Sequence, residues 1–149
     1  MPQAVILAGG AGERFWPLTS KTFPKYRIQI DGESLLQKTY RRLLSVYSPA
    51  HIHVVTTREQ ASFIRKEIPK LPKQNLIVEP CRRNTAAAIL LSCLTLAKRF
   101  GEQEIVSFFP ADHLIKNEKV FKKLILTAVT AANKNEILIT LGVKPTFPA

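Results

Sequence analysis

The sequence predicts an α/β fold in which a mostly parallel β-sheet is covered by helices on both faces. Short apolar runs alternate along the chain with longer segments whose apolar residues recur at helical spacing. The short runs are apolar at successive positions, which is typical of strands buried on both faces of a parallel sheet. Because the chain has 149 residues, one domain covering residues 1–149 is expected.

Five apolar runs predict the strands. They lie at residues 4–8, 52–56, 76–78, 104–109 and 137–143. Glycine, proline or a polar residue follows each run and marks its end. In open parallel sheets, ligands bind beyond the carboxyl ends of the strands. Functional residues are therefore expected directly after these runs.

The segments between the strands predict helices, of which the first two have distinct ends. Residues 34–47 carry apolar side chains at helical spacing. Thr57 and Gln60 form a capping-box pattern at the start of the second helix, and Pro69 closes that helix.

The third and fourth predicted helices differ in how apolar they are. Residues from about 85 to 100 are apolar on nearly every face, which predicts a buried helix that ends at Gly101. Asn117 is predicted to cap the fourth helix, whose apolar residues lie on one side as far as Val129.

The composition indicates a globular protein, with 46% hydrophobic and 22% charged residues. Cys81, Cys93 and the three histidines lack the spacing of a disulfide framework or a zinc site. The sequence shows no signal-peptide pattern and no apolar run long enough to span a bilayer. We therefore expect a cytoplasmic protein without a membrane partner.

The formal net charge of +11 suggests an anionic partner, such as a nucleotide, a sugar phosphate, a nucleic acid or a membrane surface. Cations on exposed helix faces, such as Arg65 and Lys122, explain much of this excess. The basic residues are not interleaved with aromatic ones, and no recognition-helix or RNA-binding signature is present. No nucleic-acid partner is expected, and the sequence carries no signal for an oligomeric state.

A glycine-rich loop follows the first strand. Gly9, Gly10 and Gly12 let the main chain approach a phosphate closely and point N–H groups at it. Arg14 and Lys25 supply positive charge on mobile side chains. The alternative interpretation is a plain turn with surface cations. For a glycine cluster taken alone, a phosphate-binding loop and a plain turn are about equally frequent.

Two familiar phosphate loops do not match this segment. A Walker loop ends in Gly-Lys-Ser/Thr, whereas Glu13 follows the last glycine here. The dinucleotide fingerprint requires a third glycine or alanine and an immediate helix, but Phe15 stands at that place and Pro17 interrupts. An extended loop over the phosphates is the remaining interpretation.

The glycine-rich loop resembles the signature loop of the sugar-1-phosphate nucleotidyltransferases. The matching residues are Gly9-Gly10-x-Gly12-x-Arg14, Trp16-Pro17-Leu18 and Pro24-Lys25, and the Trp-Pro-Leu form resembles the mannose-1-phosphate guanylyltransferases. The resemblance implies a Rossmann-like three-layer fold of the nucleotide-diphospho-sugar transferase type. It also implies that Arg14 and Lys25 are catalytic and contact the nucleotide phosphates. The implied nucleotide contacts in this segment are Leu7, Ala8, Gly9, Gly10 and Gly12.

A second resemblance lies after the third strand, where Glu79-Pro80-Cys81-Arg82-Arg83-Asn84-Thr85-Ala86 is similar to the family's Glu-Pro-x-x-Arg-Asn-Thr-Ala segment. It implies nucleotide binding by Glu79, Arg83, Asn84 and Thr85. A carboxylate only accepts hydrogen bonds and can take both donors of the guanine edge, so Glu79 suits GTP. The alternative is that Asn84 or Thr85 merely caps the next helix.

A third resemblance follows the fourth strand. Phe109-Pro110-Ala111-Asp112-His113 is similar to the family segment whose aspartate binds the catalytic Mg²⁺. The resemblance therefore implies a catalytic and metal-binding role for Asp112, with Mg²⁺ as the cofactor. Taken alone, an aspartate at a strand end is more often a cap or turn residue. His113 is expected to be structural.

The resemblance as a whole implies guanylyl transfer from GTP to mannose 1-phosphate, giving GDP-mannose and pyrophosphate. Residues 1–149 would be the nucleotide-binding N-terminal part of such a domain, truncated before the family's sugar-contacting residues and second metal-binding aspartate. Little transfer activity is expected from this part alone. The alternatives are a non-catalytic GTP-binding fragment and a nucleotidyltransferase for another sugar 1-phosphate; a basic nucleic-acid binder would rest on charge alone.

Overall fold

A four-stranded parallel sheet forms the centre of the protein in the computed structural model, which describes residues 2–10, 19 and 23–145. In chain order its strands are β1 (Gln3–Ala8), β4 (Ile52–Thr57), β5 (Leu76–Glu79) and β6 (Val106–Pro110). The spatial order is β5-β4-β1-β6, and all three neighbouring pairs are parallel. The carboxyl ends of the four strands therefore lie along one edge of the sheet.

Four helices cover the two faces of this sheet. They are α1 (Leu35–Leu43), α2 (Arg58–Glu67), α3 (Asn84–Phe100) and α4 (Glu118–Asn135). Alternate residues of β1 divide between two cores, because successive side chains of a strand point to opposite faces. Ile6 packs in the core that α1, α2 and α4 complete, whereas Val5 packs in the core that α3 completes. The predicted α/β class, with helices on both faces, is confirmed.

The predicted helix caps were right at α4 and wrong at α2. At α4, the Asn117 side chain accepts a hydrogen bond from the Val120 N–H at 3.1 Å. Thr57 does occupy the N-cap of α2, but its side chain makes no capping hydrogen bond. Thr57 is also the last residue of β4 and is buried, so its side chain belongs to the sheet end.

The third helix is less buried than its sequence predicts. Ala88 and Leu96 pack on the sheet, but Leu90 and Leu94 on another side of α3 are 60% and 62% exposed. Within the described residues, α3 packs against the sheet on one side, and a single sheet can bury only one face of a helix. No helix in the described part of the chain has the length and apolar character needed to cross a membrane.

The prediction of a fifth strand at residues 137–143 was wrong. This segment forms no ladder, and its apolar side chains are exposed, with Leu138 at 102% and Val143 at 87%. A strand requires a neighbour for its backbone hydrogen bonds. The described residues place no strand beside this segment, so its apolar sequence alone does not make it a strand.

A short hairpin precedes α1 and was absent from the predicted elements. Its strands, β2 (Gln29–Ile30) and β3 (Glu33–Ser34), are antiparallel. Asp31 and Gly32 connect them with φ of 54° and 78°, and such positive φ values favour Asp-Gly in two-residue hairpin turns. Ser34 then starts α1 with a capping box, in which it exchanges hydrogen bonds with Gln37.

A buried histidine joins β4 to the last turn of α3. His53 is fully buried, and its Nε2 lies 3.0 Å from the Gln3 side-chain oxygen. Its ring meets that of Phe100 edge-on, with 6.0 Å between the ring centroids. Burial, with smaller effects from Arg99 and His51, lowers the pKa of His53 from 6.5 to about 4. The folded protein therefore holds this side chain neutral at pH values where an unfolded chain protonates it.

We expect this histidine to make the protein less stable as the pH falls from 7 to 5. Between the unfolded pKa of 6.5 and the folded pKa of about 4, the unfolded chain binds one more proton, so stability decreases with falling pH. The loss from His53 over this range is about 2 kcal/mol. Urea unfolding at pH 7 and pH 5 measures it, with His53→Gln as the non-titrating control. Equal pH dependence in the two proteins would contradict the assignment.

Candidate functional site

A cleft of about 720 Å³ opens at the carboxyl ends of the strands. Its lining includes most of the residues that the sequence analysis singled out, although they come from widely separated parts of the chain. They are Leu7, Gly9, Gly10, Lys25, Glu79, Arg83, Asn84, Thr85 and Asp112. The structure therefore brings these nine predicted residues together at the carboxyl ends of the strands.

The three other predicted site residues are Ala8, Gly12 and Arg14. Ala8 is fully buried in β1, and its carbonyl oxygen accepts a hydrogen bond from the Thr56 hydroxyl at 2.8 Å. Gly12 and Arg14 lie outside the described residues.

Lys25 and Asp112 form an ion pair in the cleft. The Lys25 Nζ lies 3.3 Å from the Asp112 Oδ2, and the two side chains are 26% and 29% exposed. Lys25 begins a short 3-10 helix directly after Pro24, and Asp112 follows the end of β6. The pair thus joins the segment after the glycine-rich loop to the far edge of the sheet.

Glu79 lies at the other edge, at the end of β5, and its carboxylate packs against the main chain of the loop that follows β1. The side chain is buried, and a Cβ added to Gly9 would lie 2.7 Å from the Glu79 Oε2. Burial raises the pKa of Glu79, while the nearby charge of Arg82 partly offsets this. Gly9 is needed here for space, since its backbone is not in the left-handed region.

Helix α3 begins in the cleft without a side-chain cap. Arg83 is the N-cap residue and makes no capping hydrogen bond, and Asn84 begins the helix with a φ of 63°. The alternative interpretation, in which Asn84 or Thr85 caps this helix, is therefore not observed. The first N–H groups of a helix carry partial positive charge and suit an anion.

Six residues of the lining were not predicted as site residues, and two of them, Tyr26 and Arg82, have polar side chains. Tyr26 follows Lys25 and is buried, and this burial raises its pKa to about 12. Arg82 was noted only as part of the second matching segment, yet it also lines the cleft. Tyr26 could have been predicted to line the cleft because it directly follows the Pro24-Lys25 motif.

The cleft offers few ligands for a metal ion. Among the described residues, no group of three or more histidine, cysteine, aspartate or glutamate side chains could hold a metal. Asp112 contributes one carboxylate that faces the cleft beside Lys25. Such a donor set fits a cation that takes its other ligands from phosphate and water, as Mg²⁺ commonly does.

Comparisons with known proteins show which family this chain belongs to. The family model described as "Nucleotidyl transferase" matches residues 3–149. The chain is 40% identical to mannose-1-phosphate guanylyltransferase 2 of Escherichia coli O157:H7, and the match covers 97% of this chain and 30% of that protein. It is 36% identical to the xanthan biosynthesis protein XanB of Xanthomonas campestris pv. campestris strain B100, covering 97% and 31%.

Solved structures give the same fold. The crystal structure described as mannose-1-phosphate geranyltransferase from Thermus thermophilus matches with a TM-score of 0.77 and 29% identity, covering 89% of this chain and 38% of that one. A putative glucose-1-phosphate thymidylyltransferase from Bacillus anthracis matches in fold, with a TM-score of 0.64 and 16% identity, covering 87% and 51%. The chain spans about 30% of the length of the curated relatives described above. Because the family model matches nearly the whole chain, the chain belongs to the nucleotidyl transferase family.

Proposed function

We propose that residues 1–149 are the nucleotide-binding part of an enzyme that transfers a guanylyl group from GTP to mannose 1-phosphate. The products are GDP-mannose and pyrophosphate. One observation carries the proposal: a single cleft has a buried carboxylate at the β5 end and a lysine–aspartate pair beyond the β6 end. The names of the relatives support the choice of guanine and of mannose 1-phosphate.

The two ends of the cleft suit the two ends of a nucleotide. Two strands, β4 and β1, separate β5 from β6, so Glu79 and Asp112 follow strands that are about 14 Å apart at usual interstrand spacing. A nucleoside triphosphate lying along this edge would place its base near Glu79 and its phosphates near Lys25. The glycines after β1 lie between these ends.

Glu79 is proposed to read the base. Guanine presents two adjacent N–H donors, and a carboxylate can accept from both. Because Glu79 is buried, a base that lacks these donors would leave the carboxylate without partners, which is costly away from water. Asn84 and Thr85 line the same end of the cleft and are proposed to complete the nucleotide contacts.

The phosphates are proposed to lie over the main chain at Gly9 and Gly10, with Lys25 beside them. Gly10 has open space around it, so the backbone there is accessible to a ligand. Arg14, together with Gly12 from the same loop, is proposed to add a second cation and a further backbone contact. The uncapped start of α3, with Arg83 at its N-cap, offers additional positive potential.

Asp112 is proposed to hold Mg²⁺ with one carboxylate oxygen. A magnesium ion bound there would neutralise phosphate charge that Lys25 alone leaves uncompensated. The ion pair between Lys25 and Asp112 keeps both side chains at the cleft in the nucleotide-free protein. When phosphates bind, Lys25 can turn from the carboxylate to them, and the carboxylate becomes available to the cation.

The reaction needs no covalent nucleophile from the protein. A phosphate oxygen of mannose 1-phosphate attacks the α-phosphorus of GTP, and the bond to pyrophosphate breaks. The contribution of this chain is to hold GTP in one orientation and to neutralise its charge, which are the main protein effects in such transfers. Little transfer is expected from residues 1–149 alone, so the transfer is tested by the formation of labelled GTP from GDP-mannose and labelled pyrophosphate in a longer protein that contains these residues and has the length of the relatives. A protein that binds GTP but never catalyses this exchange would be a binding module only.

Glu79→Gln is expected to weaken GTP binding by about five- to a hundredfold and to reduce the preference for GTP over ATP. An amide offers one acceptor oxygen, so one guanine donor would be left buried without a partner. Thermal-shift titrations with GTP and with ATP measure both effects. Burial raises the pKa of Glu79, so the ionised side chain is disfavoured and its neutral replacement should not destabilise the fold.

The control for this substitution is Glu102→Gln. Glu102 is an exposed carboxylate between α3 and β6 and does not line the cleft. It should leave GTP binding unchanged. Full GTP affinity and full discrimination against ATP in Glu79→Gln would remove Glu79 from the proposed base site.

A further inference from the structure

A buried cation lies behind the cleft, outside the set of residues used so far. Arg42 near the end of α1 is 3% exposed, and its Nη2 donates hydrogen bonds to the Thr39 hydroxyl at 3.0 Å and to the His113 carbonyl oxygen at 3.3 Å. Its guanidinium carbon lies 5.2 Å from the centre of the Phe121 ring of α4. Within the described part of the chain, no carboxylate forms a salt bridge with it.

This position is an expensive place for a charge. The neighbouring core residues of α1, Leu36, Tyr40 and Leu43, are apolar or aromatic, and a buried charge without an ionic partner costs free energy. Burial also lowers the pKa of Arg42, and the nearby charge of Glu118 offsets this only in part. An apolar side chain would fill the core at lower cost, so the hydrogen bond to another segment of the chain is the distinctive contribution of the arginine.

The hydrogen bond from Arg42 completes a set of contacts around Asp112. The N–H of Ala111, the residue before it, donates to the Leu7 carbonyl oxygen of β1 at 3.2 Å. The carbonyl of His113, the residue after it, accepts from Arg42. The main chain on both sides of Asp112 is therefore held, by β1 on one side and by α1 on the other.

We propose that Arg42 is a positioning residue for Asp112: by binding the His113 carbonyl, it fixes the main chain that directs the Asp112 carboxylate into the cleft. The inference rests on the proposed function in so far as Asp112 is taken to hold a divalent cation. The guanidinium suits this task because its Nη2 donates to both Thr39 and His113 while the guanidinium carbon lies over the Phe121 ring.

The test compares Arg42→Met and Arg42→Lys with the wild-type chain in two measurements. The first is amide hydrogen exchange of residues 111–114 without nucleotide. The second is the Mn²⁺ concentration that gives half-maximal enhancement of GTP binding, with Mn²⁺ as the paramagnetic probe. In Arg42→Met, exchange in this segment should become faster and the half-maximal Mn²⁺ concentration should rise about tenfold, as for other residues that orient a metal ligand. GTP affinity without metal should stay the same.

Two controls separate positioning from a general loss of stability. Arg41→Met removes an exposed cation of the same helix that pairs with Glu33 and Glu118, and Leu43→Ala removes buried apolar contacts from the same helix. Neither variant should speed amide exchange in residues 111–114 or raise the half-maximal Mn²⁺ concentration to the extent that Arg42→Met does. Equal changes in Leu43→Ala, or unchanged exchange in Arg42→Met, would overturn the inference.

Arg42→Lys covers the case in which Arg42→Met fails to fold. Arg42→Lys keeps the charge and a donor, so exchange in residues 111–114 and the half-maximal Mn²⁺ concentration should both rise, but by less than in Arg42→Met. If neither quantity changes, the inference is again overturned. Asp112→Asn, measured in parallel, tests the proposed function separately. If that variant keeps the wild-type Mn²⁺ dependence, the metal role of Asp112 is wrong, and exchange at residues 111–114 alone decides whether Arg42 holds the segment.

Discussion

Gly9→Ala is expected to lower GTP affinity by about ten- to a hundredfold while leaving the fold intact. The added Cβ would lie 2.7 Å from the Glu79 Oε2, which is closer than the two atoms can approach. The contact involves the far end of a flexible side chain, so the protein can relieve it by moving the carboxylate. A displaced carboxylate can no longer meet the guanine donors, and losing hydrogen bonds to a charged group accounts for an effect of this size.

Gly142→Ala is the matched control, because nothing lies within 4 Å of a Cβ added at Gly142, its backbone is not left-handed, and it does not line the cleft. Isothermal titration with GTP, together with thermal unfolding of both variants, separates an effect on the site from an effect on the fold. Equal GTP affinities for the two alanine variants would show that the close approach between Gly9 and Glu79 has no part in binding.

Asp112→Asn is expected to abolish the enhancement of GTP binding by Mg²⁺, because a neutral amide is a much poorer ligand for this cation than a carboxylate. Without Mg²⁺ the effect should have the opposite sign. Lys25 is then released from the ion pair, and GTP affinity should rise by up to about fivefold, the value of a partly exposed pair. The reversal of sign distinguishes loss of a metal ligand from simple damage to the cleft.

Asp31→Asn provides the control for this substitution. Asp31 is an exposed carboxylate in the turn between β2 and β3 and has a φ of 54°, which asparagine also tolerates. GTP titrations with and without Mg²⁺ on both variants give the four affinities needed. Identical Mg²⁺ dependence in Asp112→Asn and wild type would remove Asp112 from the metal site.

The buried parts of the fold were predictable from the sequence because burial on two faces leaves a continuous apolar run. β1, β4, β5 and β6 all have this signature and lie within a few residues of their predicted positions. Residues 137–143 have the same signature, but strand formation depends on a neighbour that no local pattern reveals. The hairpin of β2 and β3 was missed because strands of two residues are too short to show a period, although Asp31-Gly32 marked its turn.

The sequence predicted many of the residues that line the cleft, but it did not predict how these residues contact one another. That Lys25 and Asp112 would lie at the same sheet edge followed from the rule for strand ends, but their 3.3 Å ion pair depends on the packing of distant segments. The close approach of the Glu79 carboxylate to Gly9 likewise depends on how the ends of two different strands, β5 and β1, are placed in the sheet. Arg42 is the clearest case: beside Arg41 in the sequence it resembles a second surface cation, and only the rotation of α1 buries one and exposes the other.

The central position of β1 has a consequence for how this protein is made. β1 pairs with β4 on one side and with β6 on the other, so β1 leaves the ribosome long before its second neighbour does. At synthesis rates of about 5–20 residues per second, the roughly 100 residues up to β6 take on the order of 5–20 seconds. During this interval the apolar β1 lacks one of its neighbours, so one of its edges stays unpaired and open to association with other chains.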